Sequence, residues 1–300
     1  MLIRGSGVPS GHPPVREGIR VTPETTARRL SRADVVAAIT ALPIGVVAGV
    51  TGVGGGEYRA PVLLILLRNV RWAIAGNLLA GVIVSLGLVV LRGALFQASD
   101  TLLLAATMMV TSVPGAYAGA LLARRTPAKW LKGFLAGILA ATALRLLLFE
   151  STNPGPFSFG AEQAALALLT GFGIGVVSGL LGVAGGEYRI PALILIFGLP
   201  AIVAGTISSL VSVPQQFAGL WKHRQLGQAT SRAVRLGAIM GGVGVGGVAV
   251  GVALLHRTSD AFVTGILAVV MLLAAAQIAW ESRKPDREES PASDGLSPLP

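Results

Sequence analysis

Two short stretches of this chain carry residue types suited to acid-base and anion chemistry, Glu57-Tyr58-Arg59 and Glu187-Tyr188-Arg189. Each follows a glycine pair, Gly55-Gly56 or Gly185-Gly186, and each comes shortly before a proline, Pro61 or Pro191. A guanidinium offers a forked set of donors that fits an oxyanion. A carboxyl group pulled one way by burial and the other by a neighbouring guanidinium can take up or release a proton. Arg59 and Arg189 are therefore the candidate anion ligands, Glu57 and Glu187 the candidate proton carriers, and Tyr58 and Tyr188 the walls of the cavity. A purely structural reading competes with this one: each Glu neutralises an Arg and locks the glycine-rich segments together. Further polar residues fall in apolar surroundings nearby, namely Asn77 and Ser85, then Thr206, Ser208, Ser209, Ser212, Gln215 and Gln216. If Gly76-Asn77 and Gly205-Thr206 begin or interrupt helices, their free N–H groups would add to an anion site.

The elements that must position these residues follow from composition. Of 300 residues 53% are hydrophobic and 13% charged, with a mean hydropathy of +0.72, which leaves too little polar surface for soluble domains. The chain reads as an all-α integral membrane protein. No cysteine is present, so thiolate metal sites, disulfides and cysteine nucleophiles are excluded, and three histidines are too few for a metal cluster. No cofactor is expected. The net charge of +10 gathers at the N-terminus and in short connections without an aromatic-basic platform, which argues for an anionic leaflet as partner and against nucleic acid. Gly52 to Gly56 has glycine spacing like a phosphate loop, but no strand precedes it and no Lys-Ser/Thr follows.

Five apolar segments (35–56, 60–67, 73–91, 102–123 and 131–149) are followed by a polar break and five more (164–186, 190–200, 201–221, 236–255 and 261–280). Residues 1–34 and 282–300 read as polar tails, 35–150 and 161–281 as membrane repeats, and 151–160 as an extracytoplasmic linker. Gly45 to Pro61 aligns with Gly175 to Pro191 at 12 of 17 identical positions, so the halves repeat one unit. Arg28, Arg29 and Arg32 precede the first segment, and Arg68, Arg71, Arg124, Arg125, Lys129 and Lys132 mark further cytoplasmic ends. In the second half Lys222, Arg224, Arg232 and Arg235 crowd the third connection, where the first half has Asp100. This difference predicts two inverted-topology repeats with both termini cytoplasmic in the cell membrane. Helices broken at Gly52–56 and Gly182–186 are tolerated at membrane depth only beside protein or a water-filled cavity. The glycines Gly237, Gly241, Gly242, Gly247 and Gly251 have the spacing of helix-packing faces.

The two glycine-rich breaks with their prolines, the Gly76 and Gly205 neighbourhoods and the Arg124-Arg125 turn together resemble the TauE/SafE family of membrane transporters. The resemblance covers most of 35–280. It implies movement of sulfite, sulfonates and related small anions. Family members commonly carry apolar residues between the glycines and the proline, where this chain has Glu-Tyr-Arg twice, a departure that points to an altered ligand.

The expectation is thus a secondary transporter for a small anion, driven by a proton or other ion gradient. Its site is expected between the two breaks and includes Gly55, Gly56, Gly185, Gly186, Asn77, Thr206, Ser208 and Ser209. A passive anion channel would share the repeats, and an intramembrane enzyme using Glu57 and Glu187 as acid and base is the remaining alternative. The sequence leaves room for a homo-oligomer.

Overall fold

A computed structural model describes residues 31–93, 99–122, 128–148, 157–181, 185–255 and 257–283. Most of both tails, the Arg124-Arg125 turn, the first part of the linker and the stretch 182–184 lie outside the described residues. The described residues form ten α-helices and no strand: α1 (Arg32–Thr51), α2 (Gly56–Leu67), α3 (Val70–Leu91), α4 (Ser99–Leu122), α5 (Ala128–Leu148), α6 (Ala161–Leu181), α7 (Gly186–Leu195), α8 (Ala201–Gln225), α9 (Ser231–Leu255) and α10 (Asp260–Arg283). Six stretches, within α1, α3, α4, α6, α9 and α10, are long and apolar enough to cross a membrane. The short segments of the sequence are α2 and α7, with 12 and 10 residues, too short to span a bilayer core that needs about 20.

Local chemistry sets the helix ends. Ser31 Oγ accepts from the Asp34 N–H while Asp34 Oδ2 accepts from the Ser31 N–H at 2.7 Å, a capping box that starts α1. Gly52 ends α1 at φ 79°, a left-handed conformation that costs glycine little. Asn69 Oδ1 accepts from the Trp72 N–H and starts α3.

Packing joins the repeats rather than separating them. Helix α1 packs on α9, and their counterparts α6 and α4 pack on each other. Helix α3 packs on α9 as α8 does on α4, while α3 with α8 and α5 with α10 pair counterpart to counterpart. Exchanging each helix for the one five places away reproduces these pairings. The close contacts are made through glycine, as its missing side chain lets backbones approach. Gly45 lies against Gly244, and Gly49 against Val248 and Gly251, so α1 and α9 run parallel. Gly171, Gly175 and Gly179 of α6 meet Met108, Ser112 and Ala116 of α4 in the same sense. Of the predicted packing glycines, Gly237 and Gly241 meet α3 at Gly76 and Ile83, and Gly247 and Gly251 meet α1 at Leu42 and Val46. Gly242 is the exception, with nothing against it.

Helices α3 and α8 run antiparallel: Leu78 faces Gly219, Gly81 faces Gln216, and Gln216 Nε2 donates to Ser85 Oγ at 2.8 Å. Both are continuous through Gly76-Asn77 and Gly205-Thr206, which neither begin nor interrupt a helix. The expected free N–H groups at these positions are therefore absent. Their glycines serve close approach instead: a Cβ at Gly76 would sit 3.0 Å from the Ala233 carbonyl oxygen, and Gly205 lies against the Thr51 carbonyl.

Candidate functional site

The first break is a short excursion of backbone between α1 and α2, and of the second break only its end at Gly185 is described. Gly54 and Gly55 have φ 86° and 68°, and Gly185 has φ 72°, all left-handed. Gly55 and Gly185 are the N-caps of α2 and α7, and neither offers a side chain to the first-turn N–H groups. Glu57-Tyr58-Arg59 and Glu187-Tyr188-Arg189 thus lie in the first turns of two short helices rather than in the irregular segments. A Cβ at Gly186 would sit 2.6 Å from the Val53 carbonyl oxygen and 3.5 Å from Ser208 Oγ, so the first break touches the start of α7. The positive end of the α7 dipole faces this meeting point.

Arg59, Arg189 and Glu187 are at most 2% exposed. Arg59 donates from Nη1 to the Gly54 carbonyl at 2.6 Å, and its Nη2 lies beside Gly81, halfway along α3. Arg189 donates from Nη1 to the Ser208 carbonyl at 3.1 Å and to Ser212 Oγ at 2.9 Å, and from Nη2 to Gln215 Oε1. Ser212 is halfway along α8. Both guanidinium groups therefore lie at the middle of the antiparallel α3–α8 pair, and neither snorkels to a helix end. The Gln215 amide continues the network to Ser178 Oγ on α6. Tyr188 donates from its hydroxyl to Glu57 Oε1 at 3.4 Å, and Tyr58 to the Val270 carbonyl on α10 at 2.6 Å. Glu187 stands within electrostatic reach of both Arg59 and Arg189.

Several buried polar atoms around the breaks have no hydrogen-bond partner among the described residues: both carboxylate oxygens of Glu187, Nε of Arg59 and of Arg189, Asn77 Oδ1 and Ser208 Oγ. Buried polar atoms are nearly always satisfied, and a cluster of exceptions marks a place for water or ligand. Asn77 is also close to the start of α2, its Nδ2 standing 3.6 Å from a Cβ built at Gly56. Thr206 and Ser209 have their hydroxyls engaged by protein partners. The Thr206 hydroxyl donates to the Ile202 carbonyl at 2.8 Å and accepts from Arg92 at 3.2 Å, and Ser209 donates to the Thr206 carbonyl at 2.7 Å.

Two participants escape sequence reasoning. Ser178 replaces Ala48 of the first repeat, and that polar mismatch inside an apolar repeat is its only signal. Arg92 ends the third apolar segment, where an arginine passes for a membrane-surface residue, yet it is fully buried. Among the described residues no group of His, Cys, Asp or Glu could hold a metal ion.

With this geometry in view, the model of the family described as sulfite exporter TauE/SafE matches residues 36–233 and, in overlap, 167–299. The chain belongs to the TauE/SafE family. TauE/SafE is a family of membrane transporters, and the all-α, multi-pass membrane architecture expected from the sequence stands. The probable membrane transporter protein YunE of Bacillus subtilis (strain 168) is 25% identical over 136 residues, 44% of this chain and 47% of that protein. The match to this chain thus spans about half the length of that curated relative. No solved structure matches significantly.

Proposed function

We propose that this TauE/SafE protein is a secondary transporter of a small anion, a sulfur oxyanion, a sulfonate or a related organic anion, in the cell membrane. The observation that carries the reading is the meeting of the first break with the start of α7 beside the middle of α3 and α8, with Arg59, Glu187, Asn77 and Ser208 all offering unsatisfied buried atoms there. An ionisable cluster at that depth is costly unless it serves a pathway. Arg59 is the principal anion ligand, because it has one donated bond among the described residues where Arg189 has three. The uncapped first turn of α7 supplies backbone N–H donors beside it.

Glu187 is the proton carrier in this reading, since burial opposes the charge of its carboxylate while Arg59 and Arg189 favour it, a balance that a bound anion can tip. Glu57, which accepts from Tyr188, has the second place. An anion that draws Arg59 away from Glu187 raises the proton affinity of that carboxylate, so anion and proton enter together. The antiparallel course of α3 and α8 supports two inverted repeats, with both termini cytoplasmic and alternating access about the shared site.

Solute counterflow in proteoliposomes tests the assignment, with a panel of sulfur oxyanions, sulfonates and carboxylates. Saturable exchange of at least one of them is the expected result. Non-saturating electrogenic conductance without counterflow would make the protein a channel.

A further inference from the structure

Arg92 lies at the C-terminal end of α3 and is 1% exposed. Its Nε and Nη2 donate to the Gly49 carbonyl at 3.2 and 2.8 Å, and Nη2 also donates to the Val50 carbonyl at 2.6 Å. Nη1 reaches across to the second repeat, donating to the Ile202 carbonyl at 3.4 Å and to Thr206 Oγ1 at 3.2 Å. Gly49 and Val50 belong to the last turn of α1, whose carbonyls have no helical donor ahead of them and carry the negative end of the helix dipole. That end points straight into the first break: Gly52 lies against Gly205, Val53 touches Gly186, and the Gly54 carbonyl holds Arg59. A bare helix C-terminus there would repel an incoming anion.

We propose that Arg92 is a positioning residue for anion binding: it caps and neutralises the C-terminal end of α1, so that the break presents positive potential to the ligand, and it ties that end to α8. The assignment rests on the anion-site reading given above. Repeat symmetry does not duplicate it, because the matching place, 129 residues on as for Gly76 and Gly205, is Trp221, an exposed ring stacked near Phe217. The residue at the matching place on α8 therefore carries no charge with which to make the same cap. Gly205 is part of the same device, since a Cβ there would lie 2.9 Å from Arg92 Nη1 and against the Thr51 carbonyl.

The test uses the full chain in detergent, with unfolding temperature measured beside affinity for a monovalent alkyl sulfonate and for divalent sulfate. Arg92→Gln keeps donors and removes the charge, whereas Arg92→Lys keeps the charge and loses the fork. The Gln variant is expected to bind the sulfonate about tenfold more weakly than wild type, and sulfate more weakly still, while the Lys variant stays within about threefold. A folded Gln variant with wild-type affinity for both anions overturns the assignment. So does an equal loss in Gln and Lys that ignores ligand charge, the signature of a purely structural cap. Should the Gln variant not fold, a tenfold loss in the Lys variant is the overturning result. If wild type binds neither anion, the anion-site reading itself fails, and the role of Arg92 falls with it.

Discussion

Tyr188 donates its hydroxyl hydrogen to Glu57 Oε1 across the boundary between the two repeats, at 3.4 Å, so the acid of one Glu-Tyr-Arg stretch is held by the phenol of the other. The relation is not mutual: Tyr58 donates instead to the Val270 carbonyl of α10. A carbonyl inside a helix already accepts a backbone bond and is a neutral acceptor, whereas a bond to a carboxylate oxygen is the stronger kind. Tyr188→Phe should therefore destabilise by about 1–3 kcal/mol and Tyr58→Phe by about 0.5–1.5 kcal/mol. Thermal unfolding in detergent reads the difference, and equal losses would show that the cross-repeat bond has no special weight.

The two arginines should respond differently to removal. Arg189 binds Ser208, Ser212 and Gln215, so Arg189→Met leaves three acceptors and a neighbouring Glu187 without it, a loss of about 3–5 kcal/mol if the protein folds at all. Arg59→Met also takes a cation from Glu187 but loses only one hydrogen bond among the described residues, so it should cost less stability and chiefly weaken anion affinity. Measuring unfolding temperature and dissociation constant on both variants checks the division. It fails if Arg59→Met binds normally while Arg189→Met stays stable and binds poorly.

Glycines divide in the same testable way. A Cβ at Gly205 collides with the Thr51 carbonyl and Arg92, both of which would have to shift, while Gly242 has open space. Overpacking costs typically about 1–3 kcal/mol, and replacing an exposed helical glycine with alanine gains up to about 1 kcal/mol. Gly205→Ala should lower the unfolding temperature, and Gly242→Ala should leave it unchanged or raise it. The reverse order would mean that the α1–α8 approach is not as close as the fold places it.

Orientation can be read with single cysteines, since the chain has none. Ser158, ahead of α6, and Gln225, at the end of α8 beside Lys222 and Arg224, are both exposed. A membrane-impermeant thiol reagent should label Ser158→Cys from outside and Gln225→Cys from the cytoplasmic side. Labelling of both from one face would rule out inverted repeats.

Much of this architecture is legible in the sequence because it depends on local chemistry. Glycine pairs followed by proline mark where α2 and α7 begin, and the repeated Glu-Tyr-Arg marks the buried charges. The α9 glycines announce its packing faces, except at Gly242, where spacing alone cannot tell a contact face from a lipid-facing one. What depends on distant partners is not legible. Gly76 and Gly205 look like interruptions, yet they sit inside continuous helices because their role is to admit another backbone. The bond from Arg92 to Thr206 and the burial of Arg92 likewise depend on the end of α1 being folded against them.

If the anion and Glu187 share Arg59, anion binding must be accompanied by proton uptake. Purified protein in weakly buffered solution near neutral pH is mixed with a small alkyl sulfonate, whose own charge does not titrate there, and the pH change is recorded beside the binding isotherm. Because the anion competes with Glu187 for Arg59, binding should raise the proton affinity of the carboxylate and draw protons from solution, more strongly as the starting pH rises toward the value where the free site has just lost its proton. Wild type is predicted to bind and take up protons, Glu187→Gln to bind without uptake, and Arg59→Met to do neither. Sulfonate binding by wild type with no proton uptake, or undiminished uptake in Glu187→Gln, would contradict the account.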